Sequence, residues 1–339
     1  MNLKTIAQKA GVSTATVSNV INGNHHKVSR ETIERVQKII EETNYKPNAT
    51  ARSLVSKKSN IIGVVLPNIA EDQSFSVNPH YAQLLSLLEQ YIRNQGYYMM
   101  MRCVQKSKEI IPLFSSWNVD GIIFLGTFWG EVEEIKQRLN VPMVFIDTYA
   151  EDLGIANVGV DDYKGGWLSA KYLLSKGHRK IAFVTPNISK LDVMQHRYEG
   201  FRDACAEAGV EIGNKNTYLA NTWYDSGVEA GKRIAAAETA YTAVAVVSDI
   251  AAFGVMEGLR MGGKRIPEDV SVIGFDNLLE CQYSHPRLTT ISQNIEQKAS
   301  KAGEWLFRMI RKEPMPEAWE KNDVEVVERA SVRDLNGEG

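Results

Sequence analysis

Short apolar runs rich in β-branched residues alternate with helical stretches over most of this 339-residue sequence, from residue 61 onward. Because these runs are apolar at consecutive positions, they predict strands covered on both faces, as in parallel sheets flanked by helices. A second series begins near Asp161, so we expect two doubly wound parallel-sheet subdomains with a cleft between them. The predicted strands are Ile61–Leu66, Tyr97–Val104, Gly121–Leu125, Met143–Ile146, Lys180–Thr185, Ala243–Ser248 and Val270–Phe275.

In the first part of the chain, the apolar residues recur with the period of a helix instead. Asn2 can cap a first helix that ends at Gly11, and Ser13 can cap a second helix that runs to about Asn22. The connection between them, residues 10–13, is short and contains a glycine, which lets two helices cross closely. This spacing predicts a small all-α helix-turn-helix head.

The outward side chains of the second helix are small or amide-bearing, whereas a solvated surface helix favours Lys and Glu. In a helix-turn-helix this helix enters the major groove of DNA, where an asparagine such as Asn19 can read adenine. A third helix, from the Ser29 cap to about Thr43, is interpreted as a packing helix. The outward set on the second helix is Thr14, Ala15, Thr16, Ser18, Asn19 and Asn22.

Charge is divided unevenly along the chain. The total is −2, but residues 1–60 carry ten Lys and Arg against four Glu, a net of +6 that leaves −8 for the remainder. Neutralisation of phosphates supplies most nonspecific affinity for DNA, so a basic head on an acidic body is typical of a DNA-binding module joined to a non-binding domain. The alternative interpretation is a solvated basic arm.

The segment from Tyr45 to Ser59 is polar and basic apart from the apolar pair Leu54 and Val55. Its composition alone favours a linker, in which Leu54 is incidental. The functional interpretation is a short helix whose Leu54 inserts between base steps in the minor groove.

Polar and aromatic side chains follow several of the predicted strands. Ligands bind beyond the carboxyl ends of strands in such sheets, so we expect these side chains to converge on one cleft. Carboxylates, an arginine and ring faces suit a polyhydroxylated ligand; for Asp161 and Asp249, helix capping is an equally good explanation. The candidate ligand-binding residues are Tyr81, Thr127, Phe128, Asp147, Asp161, Arg197, Trp223, Ser248 and Asp276.

Signatures of catalysis are missing from the sequence. It has no G-x-S-x-G elbow, no phosphate-binding G-x-x-x-x-G-K-[ST], no G-x-G-x-x-G after a strand and no His-Glu-x-x-His site. We therefore expect no enzyme activity, no cofactor and no metal. Gly254, Gly258 and Gly262 recur every four residues and are interpreted as helix-packing positions.

The three cysteines, Cys103, Cys205 and Cys281, are widely spaced and odd in number. They are interpreted as small core residues in a reducing compartment. No apolar stretch approaches the length of a membrane span. The sequence therefore predicts a cytoplasmic protein.

The residues from Leu3 to Gly23, with the motif Ile6-Ala7-Gln8-Lys9-Ala10-Gly11-Val12-Ser13 at their centre, closely resemble the signature of lactose repressor and galactose repressor type transcription regulators. Tyr45–Asn48 followed by Ala51–Leu54 resembles the hinge helix of that family. Further similar segments extend nearly to the end of the chain: Ile61–Pro67, Gly177–Ala182, Arg197–Phe201, Ile266–Asp276 and Pro286–Ile291.

The resemblance implies a helix-turn-helix DNA-binding domain over residues 1–46, a hinge helix or linker over 47–59, and an effector-binding and dimerisation domain over 60–339. That last domain is expected to be periplasmic-binding-protein-like, with two interleaved α/β subdomains. The chain is expected to form at least a homodimer on a near-palindromic double-stranded DNA operator. The positions implied to contact DNA are Thr5, Ser13, Thr14, Ala15, Thr16, Ser18, Asn19, Asn22, Ser29, Asn48, Ala51 and Leu54.

Several positions depart from the family pattern around the expected cleft. About nine extra residues, Ile69 to Val77, precede the family-like Asn78-Pro79, and His80 stands where an aromatic residue often follows the proline. Ser248 replaces an asparagine, and Trp223 matches the stacking aromatic only with an offset of one residue. The resemblance thus defines the position of the effector site better than the identity of the effector.

The sequence therefore predicts a repressor, expected to act on carbohydrate-utilisation genes and to respond to a sugar or sugar derivative in the cleft. A different class, a binding or enzymatic α/β protein whose head serves only for dimerisation, is separated from this by a gel shift with genomic fragments. Control by a protein co-effector is a further alternative within regulation. The direction of the response, induction or co-repression, and the choice between dimer and tetramer stay open.

Overall fold

The computed structural model divides the chain into two compact units, Met1–Asn60 and Ile61–Gly339. In the described part of the chain, no helix is long and apolar enough to cross a membrane. The structure describes residues 2–21, 23–45, 58–67, 78–104, 107–126, 132–148, 153–187, 193–315 and 319–337.

The described residues of the first unit form three α-helices and a short 3-10 turn, His25–Lys27. Helix α1 ends at Gly11, whose φ of 62° is the left-handed conformation that glycine adopts without strain. The small core contains Ile6, Val17 and Val36, each fully buried. The helices are α1 (Leu3–Ala10), α2 (Thr14–Ile21) and α3 (Arg30–Glu42), so the three predicted helices are confirmed.

In the second unit, the residues that the structure describes form two six-stranded sheets. The first sheet is parallel throughout, in the order β11-β5-β4-β3-β1-β2. Its strands are β1 (Ile61–Pro67), β2 (Tyr98–Val104), β3 (Gly121–Leu125), β4 (Met143–Ile146), β5 (Ala156–Val160) and β11 (Trp319–Asn322).

The second sheet has the order β12-β10-β9-β8-β6-β7, and only β12 runs antiparallel to its neighbour. Two doubly wound subdomains are therefore confirmed. Its strands are β6 (Ile181–Thr185), β7 (Thr217–Leu219), β8 (Ala243–Val246), β9 (Ser271–Asp276), β10 (Thr289–Ser292) and β12 (Glu325–Val327).

Eight helices accompany these sheets in the described residues of the second unit. The chain passes between sheets after β5, after β10 and after β11, so the subdomains are interleaved. The helices are α4 (Pro79–Asn94), α5 (Ser107–Trp117), α6 (Val132–Arg138), α7 (Asp162–Ser175), α8 (Val193–Glu207), α9 (Tyr224–Ala235), α10 (Asp249–Met261) and α11 (Ile295–Arg311).

The predicted apolar runs all form strands, but five shorter strands, β5, β7, β10, β11 and β12, were not predicted. They are three to five residues long and include polar positions, so they lack a continuous apolar run. The interpretation of the cysteines holds for Cys205 and Cys281, which are buried, and is wrong for Cys103, which is exposed on β2. β2 is the edge strand of the first sheet, and the exposure of its residues shows that Cys103 lies outside the core.

Candidate functional site

Side-chain caps fix the N-termini of α1 and α2, the two helices of the helix-turn-helix. The Asn2 Oδ1 accepts hydrogen bonds from the Thr5 backbone N and the Thr5 hydroxyl, both at 2.9 Å. At the start of α2, the Ser13 Oγ accepts from the Thr16 backbone N at 3.1 Å and lies 2.9 Å from the Thr16 hydroxyl oxygen. These caps satisfy N–H groups that have no partner within the helix, so the N-terminus of α2 is held rigidly.

The residues predicted to contact DNA lie mainly on the solvent side of α2. Thr14 and Ala15 are exposed, and Thr16, Ser18 and Asn19 are half-buried. Val17 and Val20 face the core, so the opposite face of α2 is available to a duplex. Ser29 caps α3 by accepting from the Thr32 backbone N at 3.4 Å. Four predicted contacts, Asn22, Asn48, Ala51 and Leu54, lie outside the described residues.

In the second unit, a cavity of about 330 Å³ lies between the two subdomains, in the size range of small-molecule sites. Asp147 enters it from the end of β4 and Asp276 from the end of β9, so the carboxyl ends of both sheets meet there. The other lining residues are Asn78, His80, Tyr81, Leu84, Gly126, Ile146, Val193, Met194, Arg197, Thr222, Ser248, Ile250 and Gln293.

Both carboxylates stand on an unusual backbone. Asp147 has a φ of 56° and Asp276 a φ of 128°, and Asn277 follows with 60°. Positive φ is uncommon outside glycine and costs conformational energy that the surrounding structure must offset, and such positions cluster at functional sites. The backbone therefore supports the cavity as the candidate site independently of its lining.

Arg197 is buried, and its guanidinium is bound by the protein itself. Its Nε donates to Asp162 Oδ1 at 2.8 Å, its Nη1 donates to the Val247 carbonyl at 2.6 Å, and its guanidinium carbon lies 3.6 Å from the centre of the Phe275 ring. Close packing of α7 on α8 makes this possible, because a Cβ at Gly166 would overlap the Arg197 carbonyl. Arg197 is 4% exposed and lines the cavity.

The structure brings together five of the nine predicted ligand-binding residues, Tyr81, Asp147, Arg197, Ser248 and Asp276. Asp161 is elsewhere: its carboxylate caps α7 by accepting from the Lys164 backbone N at 2.9 Å, as its alternative interpretation expected. Trp223 is half-buried at the N-terminus of α9 and does not line the cavity. Thr127 and Phe128 lie outside the described residues.

Sequence reasoning missed His80 as a lining residue and missed Gln293 and Lys298 altogether. The Lys298 Nζ donates to both Asp147 carboxylate oxygens, at 2.8 and 2.9 Å, and to the Gln293 Oε1 at 2.6 Å; the Gln293 Nε2 donates to Asp276. Lys298 occupies the apolar stripe of α11 between Ile295 and Ala302. A lysine on an otherwise apolar helix stripe was the signal in the sequence that could have indicated a buried ion pair.

Burial shifts the titration of the cavity groups. It raises the pKa of Asp276 to about 6, with the nearby Asp249 carboxylate acting in the same direction. Burial also raises the pKa of Asp249 to about 6, although this carboxylate accepts hydrogen bonds from Leu278, Cys281 and Thr290. Burial lowers the pKa of His80, which keeps this imidazole neutral at physiological pH. Within the described ranges, no cluster of three or more His, Cys, Asp or Glu could hold a metal ion.

Comparison with known proteins finds a matching domain in each of the two units. Residues 2–48 match the domain described as "Bacterial regulatory proteins, lacI family", and residues 170–332 match the "Periplasmic binding protein-like domain". The HTH-type transcriptional repressor PurR of Vibrio parahaemolyticus is 33% identical over 342 residues, covering 98% of this chain and 99% of that protein. The chain belongs to the lacI family of bacterial regulatory proteins.

Solved structures agree with this assignment. A Lac repressor dimer bound to operator and the anti-inducer ONPF is 24% identical, with a TM-score of 0.87 over 98% of this chain and 99% of that one, and so shows the same fold. A LacI family regulator from Enterococcus faecium with bound ribose is 28% identical, with a TM-score of 0.70 over 81% and 99%. This LacI-family chain is a DNA-binding transcriptional repressor; its homologues are repressors, which are not enzymes.

Proposed function

We propose that this repressor is controlled by a polyhydroxylated small molecule, a sugar or sugar derivative, held between the two subdomains. The observation that carries the proposal is the cavity of about 330 Å³ into which Asp147, Arg197 and Asp276 project from both subdomains. The genes under its control are proposed to be those of carbohydrate use, and the place of action the cytoplasm.

The chemistry of the cavity suits such a ligand. A carboxylate such as Asp276 accepts two hydrogen bonds from vicinal hydroxyls, and an analogue without those hydroxyls leaves the carboxylate unsatisfied at a cost of about 1–3 kcal/mol. Tyr81 supplies an aromatic ring among the lining residues. The regulator from Enterococcus faecium with bound ribose supports a sugar as the ligand class.

A thermal-shift screen of sugars, sugar phosphates and nucleobases tests the proposal, because a ligand of the folded state raises the melting temperature. Operator affinity is then measured with and without the ligand found, in the wild type and in Asp276→Asn. We expect the variant to lose the ligand and keep ligand-free operator binding; Glu296→Gln, an exposed change of the same charge, should behave as the wild type. Unchanged operator affinity on ligand binding would refute effector control. A protein co-effector then becomes the next candidate.

For the operator we propose a near-palindromic site bound by a homodimer, since two heads related by a two-fold axis meet half-sites related in the same way. The proposed base and phosphate contacts are those of α2 together with Thr5 and Ser29. The ligand acts on this complex only if it prefers one arrangement of the subdomains, and the sign of the change in operator affinity distinguishes induction from co-repression.

The proposed role of Leu54 as a minor-groove wedge gives a separate prediction. A wedge offsets the cost of unstacking only where the central base step is easily kinked. We therefore expect Leu54→Ala to weaken operator binding by far more than binding to random DNA, as measured by fluorescence anisotropy on both. Equal losses on the two DNAs would identify Leu54 as a plain linker residue.

A further inference from the structure

Lys298 is a fully buried charged side chain beside the cleft, at 0% exposure. An ammonium group has three N–H donors and no acceptor. Here the three acceptors are the two oxygens of Asp147 and the Gln293 carbonyl oxygen, at 2.8, 2.9 and 2.6 Å. The protein therefore saturates this cation internally, and in doing so it engages both oxygens of a carboxylate that lines the cavity.

Lys298 also orients Gln293. Because the Gln293 Oε1 faces the ammonium, its Nε2 is the end that meets Asp276, and it donates to that carboxylate. Gln293 follows β10 of the second sheet, whereas Lys298 lies on α11, which packs against strands of the first sheet. One lysine thus holds the two cavity carboxylates, Asp147 directly and Asp276 through an amide of fixed polarity.

The charges around the cavity do not balance. Among the residues that the structure describes, Asp147, Asp162, Asp249 and Asp276 lie in or directly behind its wall, against Arg197 and Lys298. Arg329, which does not line the cavity, also acts on Asp249. Arg197 pairs with Asp162 and Lys298 with Asp147. The hydrogen bonds that Asp249 and Asp276 accept come from neutral donors, and the pKa of both carboxyls is raised to about 6, as expected where negative charge is buried.

We propose that the cleft selects effectors by charge: it admits uncharged or cationic compounds with O–H or N–H donors for Asp276 and excludes phosphorylated or carboxylated ones, and Lys298, as the internal counter-ion of Asp147, sets this selectivity. The inference rests on the proposed function in taking this cavity as the effector site. An anion entering it meets excess carboxylate, an arginine whose charge is already paired with Asp162 and a lysine whose donors are all engaged. A buried charge without a partner is strongly unfavourable.

The first experiment removes the partner of Lys298. In Asp147→Asn the ammonium loses its counter-ion and the cleft gains a positive charge, so inorganic phosphate should raise the melting temperature of the full-length variant. Against sodium chloride of equal ionic strength, we expect the wild type to show no larger rise than the double variant Asp147→Asn/Lys298→Met. The double variant Asp147→Asn/Lys298→Met should lose the rise again; it keeps every basic residue of the head, so it corrects for phosphate bound there.

The second experiment makes the opposite change and serves if Asp147→Asn does not fold. Lys298→Met leaves the Asp147 carboxylate without its cation, so methylammonium chloride should stabilise this variant more than the wild type. The inference is overturned if phosphate binds the wild-type cleft, if Asp147→Asn gains no phosphate binding over the double variant, or if Lys298→Met gains nothing from methylammonium.

These outcomes are separable from those of the proposed function, because they need neither DNA nor the natural effector. If the ligand screen yields only a sugar phosphate that changes operator affinity, effector control stands and the charge selectivity falls. If a neutral sugar binds and operator affinity does not change, the charge selectivity stands and effector control falls.

Discussion

At the scale of single residues, Arg197 lines the cavity and also stabilises the fold through a buried ion pair. Removing its guanidinium breaks the ion pair with Asp162, a carboxylate that is 1% exposed. We expect Arg197→Ala to lower the free energy of unfolding by about 3–5 kcal/mol in urea denaturation. The double variant Arg197→Met/Asp162→Leu should recover most of this loss, since apolar replacement of a buried ion pair is often neutral. A double variant as unstable as Arg197→Ala would contradict the assignment.

The titration of Asp276 gives a second prediction at this scale. With its pKa raised to about 6, the carboxyl is mostly ionised at pH 7.5 and mostly protonated at pH 5.5. Only in the ionised form are both oxygens free of a proton, so that each can accept from a hydroxyl. Effector affinity should therefore fall roughly three- to fivefold over this range, in titration calorimetry. The other titratable or charged groups facing Asp276 are His80, Arg197, Asp249 and Lys298. Asp276→Asn should abolish the pH dependence together with most of the affinity, whereas a His80→Gln variant that abolishes it would assign the titration to the imidazole.

At the scale of elements, the packing of α9 on α10 depends on glycine. A Cβ at Gly254 would overlap the Tyr224 carbonyl oxygen, and one at Gly258 the Val228 carbonyl oxygen, which confirms their interpretation as helix-packing positions. We expect Gly258→Ala to lower the free energy of unfolding by about 1–3 kcal/mol, because overpacking outweighs the gain in helix propensity. Gly213→Ala is the control, since its Cβ would meet open space. If Gly258→Ala and Gly213→Ala were equally stable in urea denaturation, α9 and α10 could move apart without loss of folding free energy.

At the scale of the whole molecule, the division of charge governs how the repressor binds DNA. The net charge of +6 in residues 1–60 and −8 in the rest means that affinity arises from phosphate neutralisation by the head. Operator affinity should fall by roughly 10³-fold or more between about 50 and 200 mM salt, with a symmetric footprint on a near-palindromic site. Gel shifts across this range and a nuclease footprint check both. Binding indifferent to salt would refute phosphate neutralisation by the head, and protection of a single half-site would refute dimeric operator binding.

Local signals in the sequence suffice to predict the helix-turn-helix, the two doubly wound sheets and the strand-end position of Asp147 and Asp276. These signals are the caps at Asn2 and Ser13 and the apolar runs that must be covered on both faces. Long-range packing is needed to show that Asp161 caps a helix while Asp276 lines the cavity, because both are acidic residues beside a strand and differ only in what packs around them.

The role of Lys298 was likewise decided by tertiary structure. Its carboxylate partner is 151 residues away in the sequence, and no local pattern encodes a contact of that separation. A lysine on the apolar stripe of α11 predicts at most a side chain that destabilises the packing or that extends its ammonium group to solvent. It becomes a buried counter-ion because the chain passes from β10 into α11 and so brings this helix next to the end of β4, which carries Asp147. A charge in a dry interior is stable only beside an opposite charge.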